Sequence, residues 1–540
     1  DFCLSRGLGD VYKRQASIPA DRPAPPHVNP WIVAVAVMFS TFMEVLDTSV
    51  VNVSLPHIAG SLSATVDEAT WVLTSYLVAN AIILPITGWL ANRFGRKRLL
   101  MLAVVGFTIA SFLCGIAPTL PLLVFFRILQ GATGGFMQPL SQAILLETFP
   151  PEKRGKAMAF WGLGIVVAPI LGPTLGGWLT DAHSWRWVFY INLPVGIVSI
   201  LMTQAYIFDP PYIGRNSKGK VDFWGLGMLA VGIAALQIML DKGQEADWFG
   251  SNLIIGLAIV AGVLLAGFIV WELYTPDPVV HLRVFKSRTY ATGVLLMTML
   301  GFVLYGSLVI LPIFLQTLLG YSAVAAGLWT SPRGIGSLIF MPLTGLLLSR
   351  RADPRYLLTT GILIFTGTLF AFSHFNLQSG TWNIFWPQIL QGVAMALVFV
   401  PLTTVTMDPV PKEEMGNATS LFSLMRNLGG SMGIAFVTAF VSRRAQFHQA
   451  RLTSGLTPGN PLFRQTLAGM QAHTMQRGTD AATAAQRALA AVMGMVQQQA
   501  ALLSFVEGFW LLAIVFLCMA PLVWLMRRPR SRGGPGLAAH

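Results

Sequence analysis

Charge is scarce in this sequence of 540 residues, because only 11% of them are Asp, Glu, Lys or Arg. Soluble proteins carry about 25% charged residues, so an ordinary water-soluble globular protein is excluded. Cysteine is scarce as well, and three cysteines are too few for a disulfide framework. Apolar residues, by contrast, make up 54% of the chain. The composition therefore predicts an all-α polytopic membrane protein.

The net charge of +13 does not indicate nucleic-acid binding. Most Lys and Arg residues lie in short loops between apolar stretches, as is typical of membrane proteins. The sequence contains no HExxH motif, paired CxxC motif or nucleophile elbow. We therefore expect no nucleic-acid partner, no metal, no cofactor and no enzymatic activity.

The N-terminus differs from the rest of the chain. Residues 10–15, DVYKRQ, are what a common transposase adapter encodes when it is translated in frame. We therefore expect positions 1–15 to be sequencing read-through. Residues 16–30 are rich in Pro and Ala and are predicted to form a disordered cytoplasmic tail.

Fourteen apolar runs are long enough to cross a bilayer, which takes about 20 residues. They cover residues 31–51, 70–91, 98–117, 119–147, 156–178, 186–206, 223–240, 251–271, 290–316, 323–348, 355–374, 382–404, 417–441 and 501–526. An even number of crossings places both termini on one side. Alternate loops carry clusters of Lys and Arg, and so does the C-terminal tail, so both termini are expected in the cytoplasm.

The sequence contains an internal repeat. PITGWLANR at 85–93 matches PLTGLLLSR at 342–350, and RILQG at 127–131 matches QILQG at 388–392. A third match joins Pro150, Glu152, Gly155 and Ala157 to Pro411, Glu413, Gly416 and Ala418. The offset is 257 residues for the first match and 261 for the other two. Runs 1–6 and 9–14 are therefore predicted to be two related six-helix bundles with two helices inserted between them, the plan of the major facilitator fold.

Ionisable residues lie inside these apolar runs. Glu44 and Asp47 fall in the first run and Arg127 in the fourth. A charge at membrane depth costs roughly 2.5–3.5 kcal/mol on insertion scales, and such residues commonly face a partner, a cavity or a transport path. The spacing of three residues places both acids near one face of a helix, which we predict to be the inside of a transporter. Arg127 is expected to have an acidic partner.

The chain resembles the major facilitator superfamily, and within it the fourteen-span drug:proton antiporters of the EmrB/QacA type. Four stretches carry the resemblance: LDTSVVNVSLP at 46–56, GWLANRFGRKR at 88–98, RILQGATGG at 127–135 and APILGPTLGGW at 168–178. NATSLFSLMRNLGGSMGIA at 417–435 is similar to the same branch. The resemblance extends over nearly all of the chain from Trp31 to Arg527.

The resemblance implies a proton-coupling site. Asp47 would take part in proton coupling with Arg127 as its partner, and a conformational change that alters their contact would load or release a proton. A static ion pair that fixes the first helix against the fourth is the alternative. Glu44 is a second proton site, a counter-ion for cationic substrates, or a solvated acid in the cavity wall.

The loop at 88–98 is similar to the signature gating loop of the superfamily. Gly88 and Gly95 permit a tight turn and close helix approach. Arg93 and Arg96 are expected to serve gating or membrane orientation. Asn92 stands where the family has an acid, so one member of the usual charge relay is missing.

The motif at 168–178 is similar to the one that marks antiporters. Gly172, Pro173, Gly176 and Gly177 fit it, whereas Ala168 stands where a glycine is usual. The resemblance implies export rather than import. Small residues also occur in membrane helices simply because they allow close packing.

Three further charges, Arg333, Arg426 and Glu507, are expected to be structural, with Arg426 paired within the second bundle. The segment 442–500 is predicted to be external, with two short helices. It is either a solvated hairpin or a docking surface for a periplasmic adaptor, which would lead to an outer-membrane channel.

The predicted function is proton-coupled multidrug efflux of amphipathic or cationic compounds by alternating access, in a bacterial cytoplasmic membrane. The expected partners are a small-molecule substrate, protons and membrane lipids. The alternatives are export of a narrower substrate, such as a lipid, siderophore or natural product, and an ion channel on a similar scaffold. The predicted divisions are a tail at 1–30, bundles at 31–206 and 290–526, a two-helix insertion at 207–289 and a tail at 527–540.

Overall fold

The computed structural model describes residues 28–209, 222–276, 278–350, 352–457 and 459–527. Within these ranges the regular structure is helical and contains no strand. The predictions for positions 1–27, for the loop 210–221 and for 528–540 fall outside the described residues.

Fourteen helical segments in the described ranges run between the two ends of the molecule. They are α1 (Pro30–Ser61), α2 (Trp71–Phe94), α3 (Arg96–Ile116), α4 (Leu120–Gly134 and Met137–Thr148), α5 (Arg154–Ala182), α6 (Asn192–Tyr206), α7 (Phe223–Lys242), α8 (Asn252–Tyr274), α9 (Arg288–Thr317), α10 (Ala323–Thr330 and Pro332–Ser349), α11 (Pro354–Phe372), α12 (Thr381–Met407), α13 (Met415–Ser454) and α14 (Ala481–Leu517, followed by Met519–Val523). Short helices, Val66–Ala69 and Trp187–Tyr190, precede α2 and α6.

Thirteen of these segments are long and apolar enough to cross a membrane. The remaining segment, α10, is divided at Ser331 and contains Arg333, which lowers its apolar content. Pro332 has no backbone N–H to continue the first piece of α10, so the division has a local cause. The interruption of α4 begins at Gly135, directly after Gly134, and glycine has the lowest helix propensity after proline. The prediction of fourteen crossings is consistent with this architecture.

Helix packing repeats between the two halves of the chain. In the first half α1 packs on α5, α2 on α4, and α3 on both α4 and α6. In the second half α9 packs on α13, α10 on α12, and α11 on both α12 and α14. Each contact therefore has a counterpart eight segments later. This agrees with the internal repeat and with the predicted plan of two related six-helix bundles.

The inserted helices α7 and α8 pack against each other beside the two halves. Asp241 on α7 accepts a hydrogen bond from Thr74 on α2. Gln237, one turn away on α7, donates from Nε2 to the Oγ of Ser431 on α13 at 2.8 Å. The insertion thus contacts both halves through hydrogen bonds between polar side chains.

We call the end at which α1 begins and α14 finishes the termini face, and the opposite end the hairpin face. At the termini face α2 approaches α13 so closely that a Cβ on Gly88 would lie 2.5 Å from the Cα of Asn417. A Cβ on Gly345 of α10 would likewise lie 3.0 Å from the carbonyl oxygen of Gly155 on α5. Because Gly88 and Gly345 are repeat counterparts, as are Gly155 and Gly416, the two contacts are related by the duplication.

Burial also differs between the two faces. On α4 residues 137–146 are all buried, and on α12 residues 391–403 are all buried. Toward the hairpin face the same two helices carry exposed side chains, including Phe125 and Trp386. The two halves are therefore packed together at the termini face.

Two long helices form the segment predicted to be external. α13 continues without a break to Ser454, and α14 begins at Ala481, well before its apolar part. The helix Pro461–Gln476 between them packs on α14. The first of the two predicted short helices is present, and the second is the beginning of α14.

Candidate functional site

The centre of the first half holds a buried ion pair. Arg127 on α4 donates from Nη1 to Oδ2 of Asp47 on α1 at 2.6 Å, and both side chains are 0% exposed. The other carboxylate oxygen, Oδ1, accepts from Gln130 at 2.9 Å and from Asn192 on α6 at 2.7 Å. The structure thus brings together the two residues predicted to be partners and encloses them among α1, α4 and α6.

The guanidinium group of Arg127 is held from three further directions. Its Nε donates to the carbonyl oxygen of Val72 on α2 at 2.9 Å, and its Nη1 also donates to Gln130 at 2.8 Å. The cation lies over the ring of Tyr76, 4.1 Å from the centroid, where the ring quadrupole attracts it. Charge, hydrogen bonds and the aromatic face together compensate for the removal of Arg127 from water.

Glu44 has different neighbours from Asp47. Its Oε1 accepts from Asn80 on α2 at 3.0 Å, and its carboxylate also has the side-chain amide of Gln138 on α4 as a hydrogen-bonding neighbour. Glu44 also interacts electrostatically with Arg426 of the second half. The expectation that both acids share one face is therefore only partly right, because three residues along a helix correspond to a rotation of about 60°. Asp47 faces the interior of its own half, and Glu44 faces the junction between the halves.

We call this junction the seam and define it by Glu44, Asn80, Gln138 and Arg426. Arg426 donates a hydrogen bond from Nη2 to Gln138 on α4, so the contact crosses from one half to the other. The prediction that Arg426 pairs within its own bundle is wrong. The physical reason is that Gln138 lies on the buried part of α4, which faces the second half at the termini face.

An aromatic pair lies one helical turn from Glu44 toward the termini face. Trp161 on α5 donates from Nε1 to the Oγ of Thr41 on α1 at 3.0 Å. Its ring stacks on Phe399 of α12, with centroids 6.2 Å apart. The stack crosses between the halves on the termini side of Glu44.

The loop at 88–98 connects several helices at the termini face. Gly95 has φ +93°, a conformation that favours glycine, and Asp209 fills the space beside it. Asp209 accepts from the backbone N–H of Lys97 at 2.8 Å, which places an anion at the start of α3. Arg96 is buried and pairs with Glu147 at the end of α4.

The two remaining side chains of this loop contact their surroundings differently. Asn92, the departure from the family pattern, donates from Nδ2 to the carbonyl oxygen of Glu413 in the second half at 3.4 Å. The guanidinium of Arg93 lies 5.3 Å from the ring centroid of Trp89. The loop therefore joins the halves through the amide of Asn92.

The motif at 168–178 lies on α5 where this helix packs against α1. A Cβ on Gly172 would lie 2.2 Å from the Oγ of Ser49, and one on Gly176 would lie 2.8 Å from the carbonyl oxygen of Val50. Gly177 has open space, and Pro173 lies in the helix between these glycines. Two of the three glycines thus set the distance between α5 and the helix that carries Asp47.

The other predicted charges lie in the second half. Arg333 on α10 donates from Nε to Oε1 of Gln388 at 3.1 Å and also donates to Gln391, both on α12. Glu507 on α14 pairs with Arg444 on α13 and accepts from His448 at 3.0 Å. This second cluster joins α13 to α14 near the hairpin face.

Sequence reasoning missed Gln130 and Asn192, the two amides that complete the Asp47 site. Gln130 follows Arg127 by three residues, so the helical repeat was a usable signal. Asn192 is the first residue of α6, and its approach to Asp47 depends on the packing of this helix. No local pattern indicates that contact.

The chain folds into two repeated halves of membrane-length helices, and buried ionisable groups lie inside these helices. This combination defines a membrane transport protein. The family model described as Major Facilitator Superfamily matches residues 37–434. The chain is 38% identical to the multidrug export protein EmrB of Escherichia coli K12 over 511 residues, which is 94% of this chain and 98% of the relative. It is 41% identical to the fatty acid resistance protein FarB of Neisseria gonorrhoeae over 506 residues, covering 93% and 97%.

Solved structures agree on the fold. A double-tryptophan mutant of XylE matches with a TM-score of 0.61 at 15% identity, covering 93% of this chain and 97% of the other. The human organic anion transporter MFSD10 matches with a TM-score of 0.58 at 14% identity, covering 91% and 100%. The chain belongs to the Major Facilitator Superfamily, and the predicted resemblance to its EmrB-type members is confirmed.

Proposed function

We propose that this protein is a proton-coupled exporter that moves amphipathic, drug-like molecules across a bacterial cytoplasmic membrane by alternating access. The observation that carries the proposal is the fully buried pair of Asp47 and Arg127. A charged pair inside a membrane protein is costly to maintain and is typically kept for transport or proton transfer. One relative is named multidrug export protein EmrB, and another is named probable multidrug resistance protein EmrY.

In this mechanism Asp47 is the proton carrier. Protonation would remove the charge that holds Gln130, Asn192 and Arg127 around α1, so α1 would be loosened against α4 and α6. Arg127 would keep its bond to Val72 and its contact with the Tyr76 ring, which limits the cost of the change. Each net charge moved gains about 2.3 kcal/mol per 100 mV of membrane potential.

The direct test is dye efflux driven by a pH gradient in proteoliposomes. The unaltered chain is expected to move a fluorescent amphipathic dye against its gradient, whereas Asp47→Asn is expected only to equilibrate it. Asp181→Asn is the matched control, because the Asp181 side chain is 75% exposed near the hairpin face. If Asp47→Asn exports the dye against its gradient as fast as the unaltered chain does, the buried pair has a structural role. Glu44 would then be the candidate proton carrier.

The proposed orientation has both termini in the cytoplasm. The loops at the termini face carry the clusters of Lys and Arg at 93–98, 153–156 and 350–355, which the positive-inside rule assigns to the cytoplasm. A fluorescent protein fused after His540 is expected to fluoresce in cells, because it folds in the bacterial cytoplasm but not after export in unfolded form. A fusion that inserts into the membrane without fluorescing would indicate the opposite orientation, with the C-terminus outside the cytoplasm.

We propose that the hairpin between α13 and α14 binds a periplasmic adaptor. The hairpin carries exposed apolar side chains, among them Phe447, Leu462 and Leu489, on helices otherwise rich in polar residues. Deleting the helix Pro461–Gln476 is expected to preserve dye efflux from proteoliposomes and to abolish drug resistance in a bacterium with two membranes. Full resistance in such cells would indicate a solvated hairpin instead.

A narrower substrate range is the second candidate. The relative named fatty acid resistance protein is as similar to this chain as the multidrug exporters are. Comparing transport of a long-chain carboxylate with that of a cationic dye would separate the two candidates. Transport of the carboxylate alone would favour the narrower range.

A further inference from the structure

A buried cation without a carboxylate partner lies where the two halves meet. Arg426 is 6% exposed, and the ion pairs within the described residues do not include it. Its Nη2 donates to the neutral amide of Gln138, and its Nε has no hydrogen-bond partner among the described residues. A buried guanidinium that forms no ion pair is costly, so the hydrogen bond to Gln138 alone does not account for Arg426 as a structural contact.

The nearest acid does not complete it. Glu44 is 4% exposed and interacts with Arg426 through space, but the two side chains form no ion pair. Asn80 donates to one carboxylate oxygen of Glu44, and the side-chain amide of Gln138, which Arg426 also contacts, is a further hydrogen-bonding neighbour of this carboxylate. The seam therefore holds two opposite charges that share the neutral amide of Gln138 without forming an ion pair, and the Nε of Arg426 has no hydrogen-bond partner among the described residues.

The position of the seam makes these atoms available in transport. The Trp161–Phe399 stack lies on the termini side of Glu44, and the halves are packed together from there to the termini face. A transporter that rocks its halves must break the Arg426–Gln138 contact when the termini face opens. The seam is then the layer that faces each side of the membrane in turn.

We propose that Arg426 binds the carboxylate of an acidic amphiphile at the seam, with Gln138 and Asn80 as neutral hydrogen-bonding neighbours and the aromatic stack as the contact for its apolar part. This inference rests on the proposed export function and specifies one class of substrate. A guanidinium is suited to the role because its planar fork binds a carboxylate through two parallel hydrogen bonds. Glu44 opposes the substrate charge, so it sets how strongly acidic and cationic molecules are distinguished.

The test is direct binding to the purified full-length chain in nanodiscs at pH 8. The probes are dodecanoate and dodecanamide, which share the chain length and differ in the charge of the head group. We expect the unaltered chain to prefer the carboxylate by about tenfold or more, the ratio typical of hydrogen bonds to a charged group. Arg426→Gln is expected to reduce the ratio to near one, and Glu44→Gln to raise the affinity for dodecanoate.

A matched control is Arg444→Gln, because Arg444 lies on the same helix near the hairpin face and outside the seam. This variant is expected to keep the ratio of the unaltered chain. Arg426→Lys retains the charge without the fork, so an intermediate ratio is expected. If Arg426→Gln does not yield folded protein, Arg426→Lys becomes the deciding variant. An unchanged ratio in Arg426→Lys would overturn recognition of the carboxylate through two parallel hydrogen bonds.

Two results would overturn the inference: equal affinity for both probes in the unaltered chain, or a ratio in Arg426→Gln that matches it. Measuring dye efflux by the unaltered chain distinguishes failure of the carboxylate site from failure of the proposed export function. Efflux without a carboxylate preference would retain the exporter and reject the site. A carboxylate preference lost in Arg426→Gln, without any proton-driven efflux, would retain the site and reject proton-coupled export.

Discussion

Replacing Gly88 by Ala is expected to open the termini face. The added Cβ would lie 2.5 Å from the Cα and N of Asn417 and 2.7 Å from the backbone carbon of Gly416. Carbon atoms are in favourable contact at about 3.5–4.0 Å, so α2 and α13 must move apart by about 1 Å. Backbone atoms cannot rotate aside as a side chain would. Overpacking of this kind costs about 1–3 kcal/mol.

This cost falls on the closed arrangement alone, because α2 and α13 are not in contact there once the termini face opens. The ratio of closed to open molecules is therefore expected to fall by roughly fivefold to 150-fold. Spin labels at Glu152 and Lys412 would report it, because both side chains are exposed on short helical turns that precede α5 and α13. Pulsed electron paramagnetic resonance in nanodiscs, with the native cysteines replaced, is expected to show a larger population at long distance.

The matched control is Gly256→Ala on α8, where a Cβ meets no atom within 4 Å. It raises helix propensity as much as Gly88→Ala does, without touching the junction. An unchanged distance distribution in Gly88→Ala would refute the reasoning that close backbone approach maintains the closed face. An equal change in both variants would refute it as well.

Three further predictions concern stability and local order. Gly176→Ala is expected to lower the thermal stability in detergent because its Cβ meets a backbone carbonyl of α1, whereas Gly177→Ala has open space and is expected to be neutral; equal midpoints would contradict this. Glu147→Gln removes the carboxylate that pairs with buried Arg96 and is expected to cost up to about 3–5 kcal/mol in denaturant unfolding, and a change below 1 kcal/mol would contradict this. Asp209→Ala is expected to speed hydrogen exchange at an amide in the first turn of α3, whereas Asp209→Asn retains the acceptor; equal protection in both variants would count against this cap.

The fold was predictable because its signals are local and repeated. Apolar runs of the right length appear fourteen times, and sequence matches at offsets of 257 and 261 residues divide them into two halves. The interruption of α10 also had a signal, since Pro332 lacks the N–H that a continuous helix needs. The full lengths of α13 and α14 were less accessible, because their outer parts are helical without being apolar.

The part of the candidate site that could be predicted is the one in which a buried charged residue requires a partner of opposite charge. A buried Arg127 requires an acid, and the structure supplies Asp47. The direction of Glu44 was not accessible, because it depends on which helix of the other half lies opposite. The same holds for Arg426, whose contact joins residues 288 positions apart, and no repeat or periodicity encodes such a contact.

The single long helix α13 makes the hairpin a lever. Its 40 residues span about 60 Å at 1.5 Å per residue, from Met415 at the closed face past Arg426 to Ser454. The ion pair between Arg444 and Glu507 joins α13 to α14, so the outer part of α13 is supported by a second helix. A tilt of about 5° around the closed face would move the tip by roughly 5 Å over that length. A protein bound to the tip would therefore restrict the tilt of α13. Because this helix also carries Arg426 of the seam, such binding would by itself shift the equilibrium between the two open faces.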